Sequence, residues 1–249
     1  MQEEPDVLSF EEKRVGDLVA EDYRKAEVFK KFGIDFCCGG GRTVVDACAK
    51  KGVDYDELAR ELMQAETAAT TSEQSDFKSM DPGSLVDYIV RVHHTYVREN
   101  VPLLREFTAK VAKVHGHANP EVVRIAELFD ALGAELTEHM MKEESILFPY
   151  IKRLVVSKER KESVAPPPFG SVQNPIAMME HEHETAGNIL AEIRRLSSEY
   201  SPPDHACTTY KVAYLKLEEF EGDLHKHIHL ENNILFPQAL AIEQELTNR

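Results

Sequence analysis

His139-Met-Met-Lys-Glu143-Glu-Ser-Ile-Leu-Phe-Pro149 returns downstream as His227-Ile-His-Leu-Glu231-Asn-Asn-Ile-Leu-Phe-Pro237. Each copy sets a histidine four residues before a glutamate and closes on the same Ile-Leu-Phe-Pro, and 88 residues separate the copies. Residues four apart on a helix are stacked neighbours, so each copy offers an imidazole and a carboxylate on one face. Working outward, His93 stands 46 residues before His139, and His183 stands 44 before His227. The repeating unit is therefore a helix pair, with one helix supplying a single histidine and its partner supplying His-x-x-x-Glu. Two such pairs predict a pseudo-symmetric bundle of four long helices.

Apolar periodicity says which of these groups face inward. Leu217, Phe220, Leu224, His227, Glu231 and Ile234 keep the three-four spacing of one buried stripe. Ile176, Met179, His183, Ala186, Leu190 and Ile193 form a second, and Leu132, Glu135 or Leu136, His139, Glu143 and Ile146 a third. The first long helix is ambiguous, because His94 shares a neighbouring apolar row with Val90, Val97 and Val101. The repeat selects His93, since Ile89 and Met179 each stand four residues before their histidine. His181, His225 and His229 fall on other faces, where the row Glu221, His225, His229 is expected to take metal only adventitiously.

A solitary His-x-x-x-Glu is usually an exposed pair worth about 0.3 to 0.5 kcal/mol. Six such groups converging in one core are different, because an ionised carboxylate buried without compensation costs several kcal/mol. Cations remove that cost. Imidazoles with shared carboxylates suit iron, manganese or zinc, and the lack of thiolate there argues against a structural zinc. Two ions bridged by Glu143 and Glu231 keep positions open for an oxo bridge or a small diatomic ligand, which favours iron. A ferritin-like arrangement needs Glu-x-x-His on two helices. Glu180-His-Glu-His183 supplies it once, but the matching position in the first repeat is Val90.

The 249 residues carry 42% hydrophobic content and a net charge of -15, enough for a sizeable core and unfavourable to nucleic acid or an anionic membrane surface. Scarce β-branched alternation and long Ala, Leu, Glu and Lys stretches predict an all-α protein. The first twenty residues contain eight charges and no apolar run, so a cytoplasmic location without a membrane segment is expected. Residues 1–66 read as a small helical domain, 67–80 as a polar linker and 81–249 as the bundle. Within the first domain, a helix over Val15 to Phe32 is closed by Gly33, and Thr43 and Asp54 cap two more. Between them Cys37-Cys38 precedes three glycines. The pair reads either as small buried hydrophobes or as exposed, reactive thiols. No second pair stands at zinc-finger spacing. Asp81-Pro82, Asn119-Pro120 and Asn174-Pro175 open long helices, a kink is expected around Pro102, and Ser157 to Val172 and Ser201-Pro-Pro-Asp204 are connections.

Cys-Cys-Gly-Gly-Gly, His93-His94, His139-Met-Met-Lys-Glu143-Glu-x-Ile-Leu-Phe-Pro, Met179-Glu-x-Glu-His183-x-x-Ala-Gly187, Ala206-Cys-Thr-Thr209 and His227-Ile-x-Leu-Glu231-Asn-Asn-Ile-Leu-Phe-Pro together resemble the iron-sulfur cluster repair di-iron proteins, also called regulators of cell morphogenesis and NO signalling. The resemblance covers nearly the whole chain. It implies a hemerythrin-like bundle holding two non-haem irons, one bound by His93 and His139 and the other by His183 and His227, with Glu143 and Glu231 bridging. It also implies polar cavity roles for Glu135 and Glu182. The expected activity is repair of iron-sulfur clusters damaged by nitric oxide or oxidants, with Cys37 and Cys38 handling the client protein or the transferred iron. The alternative is a hemerythrin-type carrier or sensor of O2 or nitric oxide without turnover. A homodimer is compatible with the sequence.

Overall fold

The computed structural model describes residues 10–67 and 77–248, so residues 68–76 of the expected linker lie outside the described residues. The described residues are helical, joined by turns, with a single isolated bridge between Arg14 and Thr43. None of these helices is long and apolar enough to cross a membrane.

Four short helices make up the N-terminal part: α1 (Val15–Glu21), α2 (Lys25–Lys31), α3 (Val44–Lys51) and α4 (Tyr55–Thr67). The single helix expected over Val15 to Phe32 is broken in two. Asp22 takes an extended backbone, and its side chain accepts the Arg24 N–H at 3.0 Å, which ends one helix and starts the next. The other signals act as read: Gly33 and Gly52 are left-handed, the Thr43 side chain accepts from Asp46 N–H, and Asp54 accepts from Glu57 N–H. Phe10, Leu18, Phe29, Leu58 and Leu62 fill the core. Lys25 is buried beside it, paired with Glu66 at 2.6 Å over the Phe10 ring. The described residues form two compact units, one of 10–67 and 77–81 with Ile228–Gln238, the other of Pro82–His227 with 239–248.

Four long helices follow. Helix α5 runs over 82–115, α6 over 121–160, α7 is Gln173–Leu196, and α8 runs over 208–247. Leu85, Ile89, Leu104, Leu132, Ile151, Leu190, Leu217 and Phe220 line the interior. Phe220 of α8 meets Phe129 of α6 edge-on at 5.3 Å and Tyr96 of α5 at 6.1 Å, while Arg194 of α7 binds the buried Glu221 of α8. Two expectations are corrected. Helix α6 continues through Ser157 to Arg160, where Lys161 caps it in a left-handed conformation. Helix α7 begins at Gln173, one residue before Asn174-Pro175, whose proline is harmless in a first turn. Beside these, Pro102 sits inside α-helical Thr95–His115, and a π turn at Val90–His94 precedes it in α5.

Candidate metal centre

Proline explains why the repeated motif holds its carboxylates where it does. Neither Ile-Leu-Phe-Pro is a helix end, since α6 and α8 both run through it. A proline inside a helix lacks the N–H, and its ring collides with the carbonyl four residues before. For Pro149 and Pro237 those residues are Ser145 and Asn233, and each lies in a π turn, Glu143–Leu147 and Glu231–Leu235. The wider turn relieves the clash and advances the inward row by one residue. Leu147 is therefore buried and Ile146, expected on the stripe, is 48% exposed. Each π turn begins on the glutamate itself.

The π turn in α5 has the same effect on the ambiguous histidine pair. Counting four residues from Ile89 reaches His93, but the five-residue turn carries His94 into the centre. His94, Glu143, His227 and Glu231 form one buried group, and His139, Glu143, His183 and Glu231 form another, with donor atoms within 4.8 Å in each. His93 is thus corrected as a candidate ligand. It is buried nearby, with Nδ1 3.0 Å from Asp223 and its ring stacked on His227 at 5.5 Å. The pairing is corrected too. His139 shares a group with His183, their Nε2 atoms 3.0 Å apart, and His94 shares one with His227. Each group takes one histidine from each sequence repeat.

These residues fit metal ions. Two donors about 2.1 Å from one ion, at a right angle, lie about 3.0 Å apart, and at the tetrahedral angle about 3.4 Å. His139 Nε2 stands 3.0 Å from His183 Nε2 and 3.4 Å from Glu143 Oε2, and His94 Nε2 stands 3.3 Å from Glu143 Oε2. Glu143 and Glu231 occur in both groups and are fully buried, so two acidic side chains lie side by side in the core. Two adjacent buried carboxylates repel each other, and cations between them reverse that term.

Outer carboxylates orient two of the imidazoles. Glu144 receives His94 Nδ1 at 2.6 Å and also pairs with Arg98, and Glu182 receives His139 Nδ1 at 2.8 Å and also pairs with Lys142. Burial raises both carboxyls. The bonds from His94 and Arg98 outweigh it at Glu144, and those from Lys142 and His139 outweigh it at Glu182, so both are held below the usual carboxylate range. An ionised partner at Nδ1 places the ring proton there and leaves the Nε2 lone pair for a metal. Glu182 therefore acts through His139. Glu135 does not reach the centre: it is exposed, because Leu132, Leu136 and His139 take the inward row. Sequence reasoning missed Glu144 and Asp223, which depend on contacts between helices far apart in the chain.

The remaining candidates separate. Glu221 is taken by Arg194, and His229 is buried between Tyr23 and Phe36 with Nδ1 3.1 Å from Asn233, so the row of Glu221, His225 and His229 does not act as a unit. Cys37 is buried, and Cys38 is partly exposed. The hydrogen bond with Cys38, burial and the Asp35 charge push the Cys37 thiol well up, so of the two readings Cys37 takes the buried one and Cys38 lies between them.

Comparison with known proteins agrees with this architecture. Residues 11–66 match the family described as ScdA_N, Domain of Unknown function (DUF542), and residues 85–239 match the Hemerythrin HHE cation binding domain. The chain is 36% identical to the iron-sulfur cluster repair protein YtfE of Citrobacter koseri, over 95% of this chain and 100% of that protein. The proteins of the same name from Dickeya chrysanthemi and Escherichia coli are each 35% identical, with the same coverage.

Proposed function

The chain belongs to the iron-sulfur cluster repair proteins, and on that premise we propose that its bundle holds two non-haem iron ions and serves to restore clusters damaged by nitric oxide or oxidants. The observation that carries this reading is the sharing of Glu143 and Glu231 between two buried groups of two histidines and two carboxylates. One ion would be held by His94, His227 and the shared glutamates, the other by His139, His183 and the same glutamates. When bound, the iron pair supplies redox chemistry and coordination positions for nitric oxide or O2.

The protein's own groups have three tasks. Glu143 and Glu231, each the first residue of a π turn, would hold both ions. Glu144 and Glu182 orient His94 and His139 through Nδ1, tied in turn to Arg98 and Lys142. The aliphatic and aromatic shell, including Phe148 stacked on His94 at 5.6 Å, excludes water. Four protein donors for each ion would be fewer than the six an octahedral iron takes, which supports release of iron to a damaged client over tight storage. Clients are iron-sulfur proteins in the cytoplasm, and Cys37 and Cys38 handle the client or the iron in transfer.

The test is reactivation of a nitric-oxide-damaged iron-sulfur enzyme by the iron-loaded protein, with its iron content followed in parallel. Restored client activity together with iron loss supports donation. A protein that binds nitric oxide while client activity stays absent is a carrier or sensor, and the repair reading then fails for this chain.

A further inference from the structure

Among the described residues a third group of converging donors lies outside the bundle centre: Asp35, Cys37 and Cys38, again with donor atoms within 4.8 Å of one another. Asp35 organises the turn. Its Oδ1 accepts the Cys37 N–H at 2.9 Å and the Cys37 thiol at 3.1 Å, and its Oδ2 accepts the Gly39 N–H at 2.9 Å. The backbone is clamped from the other side by Asn233, whose Nδ2 donates to the carbonyls of Phe36 at 3.3 Å and Cys37 at 3.2 Å. Gly40 is needed for that approach, since a Cβ there would stand 2.6 Å from both Asn233 Oδ1 and the Phe36 carbonyl.

The sulfur spacing separates two uses of adjacent cysteines. A disulfide requires about 2.05 Å between sulfurs. Two thiolates about 2.3 Å from one ion, at the tetrahedral angle, lie about 3.8 Å apart. The observed separation is 3.9 Å, and both thiols are free. A carboxylate oxygen on the same ion would stand about 3.5 Å from either sulfur, a small outward swing of the exposed Asp35 side chain.

We propose that Asp35, Cys37 and Cys38 form a three-donor site for a single thiophilic divalent cation, its fourth position open to an incoming ligand. Binding forms two metal–sulfur bonds and one metal–oxygen bond and releases the two thiol protons to solvent, with no change of oxidation state. Three protein donors with one open position characterise an exchanging site, whereas a structural ion is enclosed by four. The ion enters from the side of Asp35 and Cys38, the solvent-facing members. The cation site stands on the geometry of the turn, and its use as a stopping point for iron in transit rests on the repair reading.

Cadmium tests the site in the full-length, iron-loaded protein, read as the ultraviolet thiolate-to-cadmium absorption in difference spectra. The expected signal saturates at one cadmium per chain, is unchanged in Cys207→Ser and is lost in Cys37→Ser/Cys38→Ser. Because Cys37 is buried, the single variant Cys38→Ser is the folding-safe control and also loses the signal. Asp35→Asn weakens cadmium binding by about 10-fold or more. Signal surviving the double serine variant, or Asp35→Asn binding cadmium like wild type, overturns the site. In His139→Ala the cadmium titration stays intact while bundle iron falls, so failure of the cation site and failure of the repair reading give different results.

Discussion

A one-residue shift in helical register decides which histidine serves the centre. His93 and His94 are both buried, yet His94 lies with Glu143, His227 and Glu231 while His93 is held by Asp223. His94→Ala should therefore cut bound iron well below the two ions per chain expected from the two groups. His93→Ala should keep both ions, as metal analysis of the purified variants would show. Equal loss in the two variants would return His93 to the ligand set. Glu182→Gln keeps the shape but removes the charge that orients His139, and should weaken iron binding by about 10- to 100-fold in a chelator competition. Acid acts at the same point. Glu144 and Glu182 titrate below their usual values, so their support is fully present above the ordinary carboxylate range and is lost as pH falls through the depressed values. Iron retention followed against pH should stay flat at neutrality and fall only in that acidic window.

At the scale of elements, much was legible in the sequence and the rest was hidden for one physical reason. The duplicated motif and the apolar stripes pointed to His139, Glu143, His183, His227 and Glu231, because a 3.6-residue period holds along most of α6, α7 and α8. Three π turns break that period beside the centre, and two of them move an expected residue: His93 gives way to His94, and Ile146 to Leu147, while Ile234 stays buried beside Leu235 in the third. The signal for two of them was present in Pro149 and Pro237, each placing its forbidden carbonyl inside the turn. Pro237→Ala should let the turn relax toward α geometry, rotate Glu231 away and lower iron content, while circular dichroism keeps its helical intensity. A separate strain sits after α7, where Ser198, Glu199 and Tyr200 are all left-handed. Ser198 is exposed, so Ser198→Gly should stabilise the apoprotein by about 1 kcal/mol in chemical denaturation. No change would mean that the strain at this residue is absorbed elsewhere.

For the whole molecule, the pairing of ligands matters more than their number. Each group draws one histidine from each sequence repeat, so neither repeat completes a group by itself. Binding free energy would then be shared by all four long helices and add to folding stability, by about 4 kcal/mol when free metal exceeds the dissociation constant a thousandfold. Stripping iron should lower the melting temperature without removing the helices, whose apolar core is intact in its own right. The most direct measurement of the central claim is Mössbauer spectroscopy of the full-length protein, loaded anaerobically with 57Fe and then oxidised, alongside an iron count. Two irons per chain in one spin-coupled pair is the predicted result. A single iron, or two uncoupled irons, would contradict a centre built on the shared carboxylates of Glu143 and Glu231.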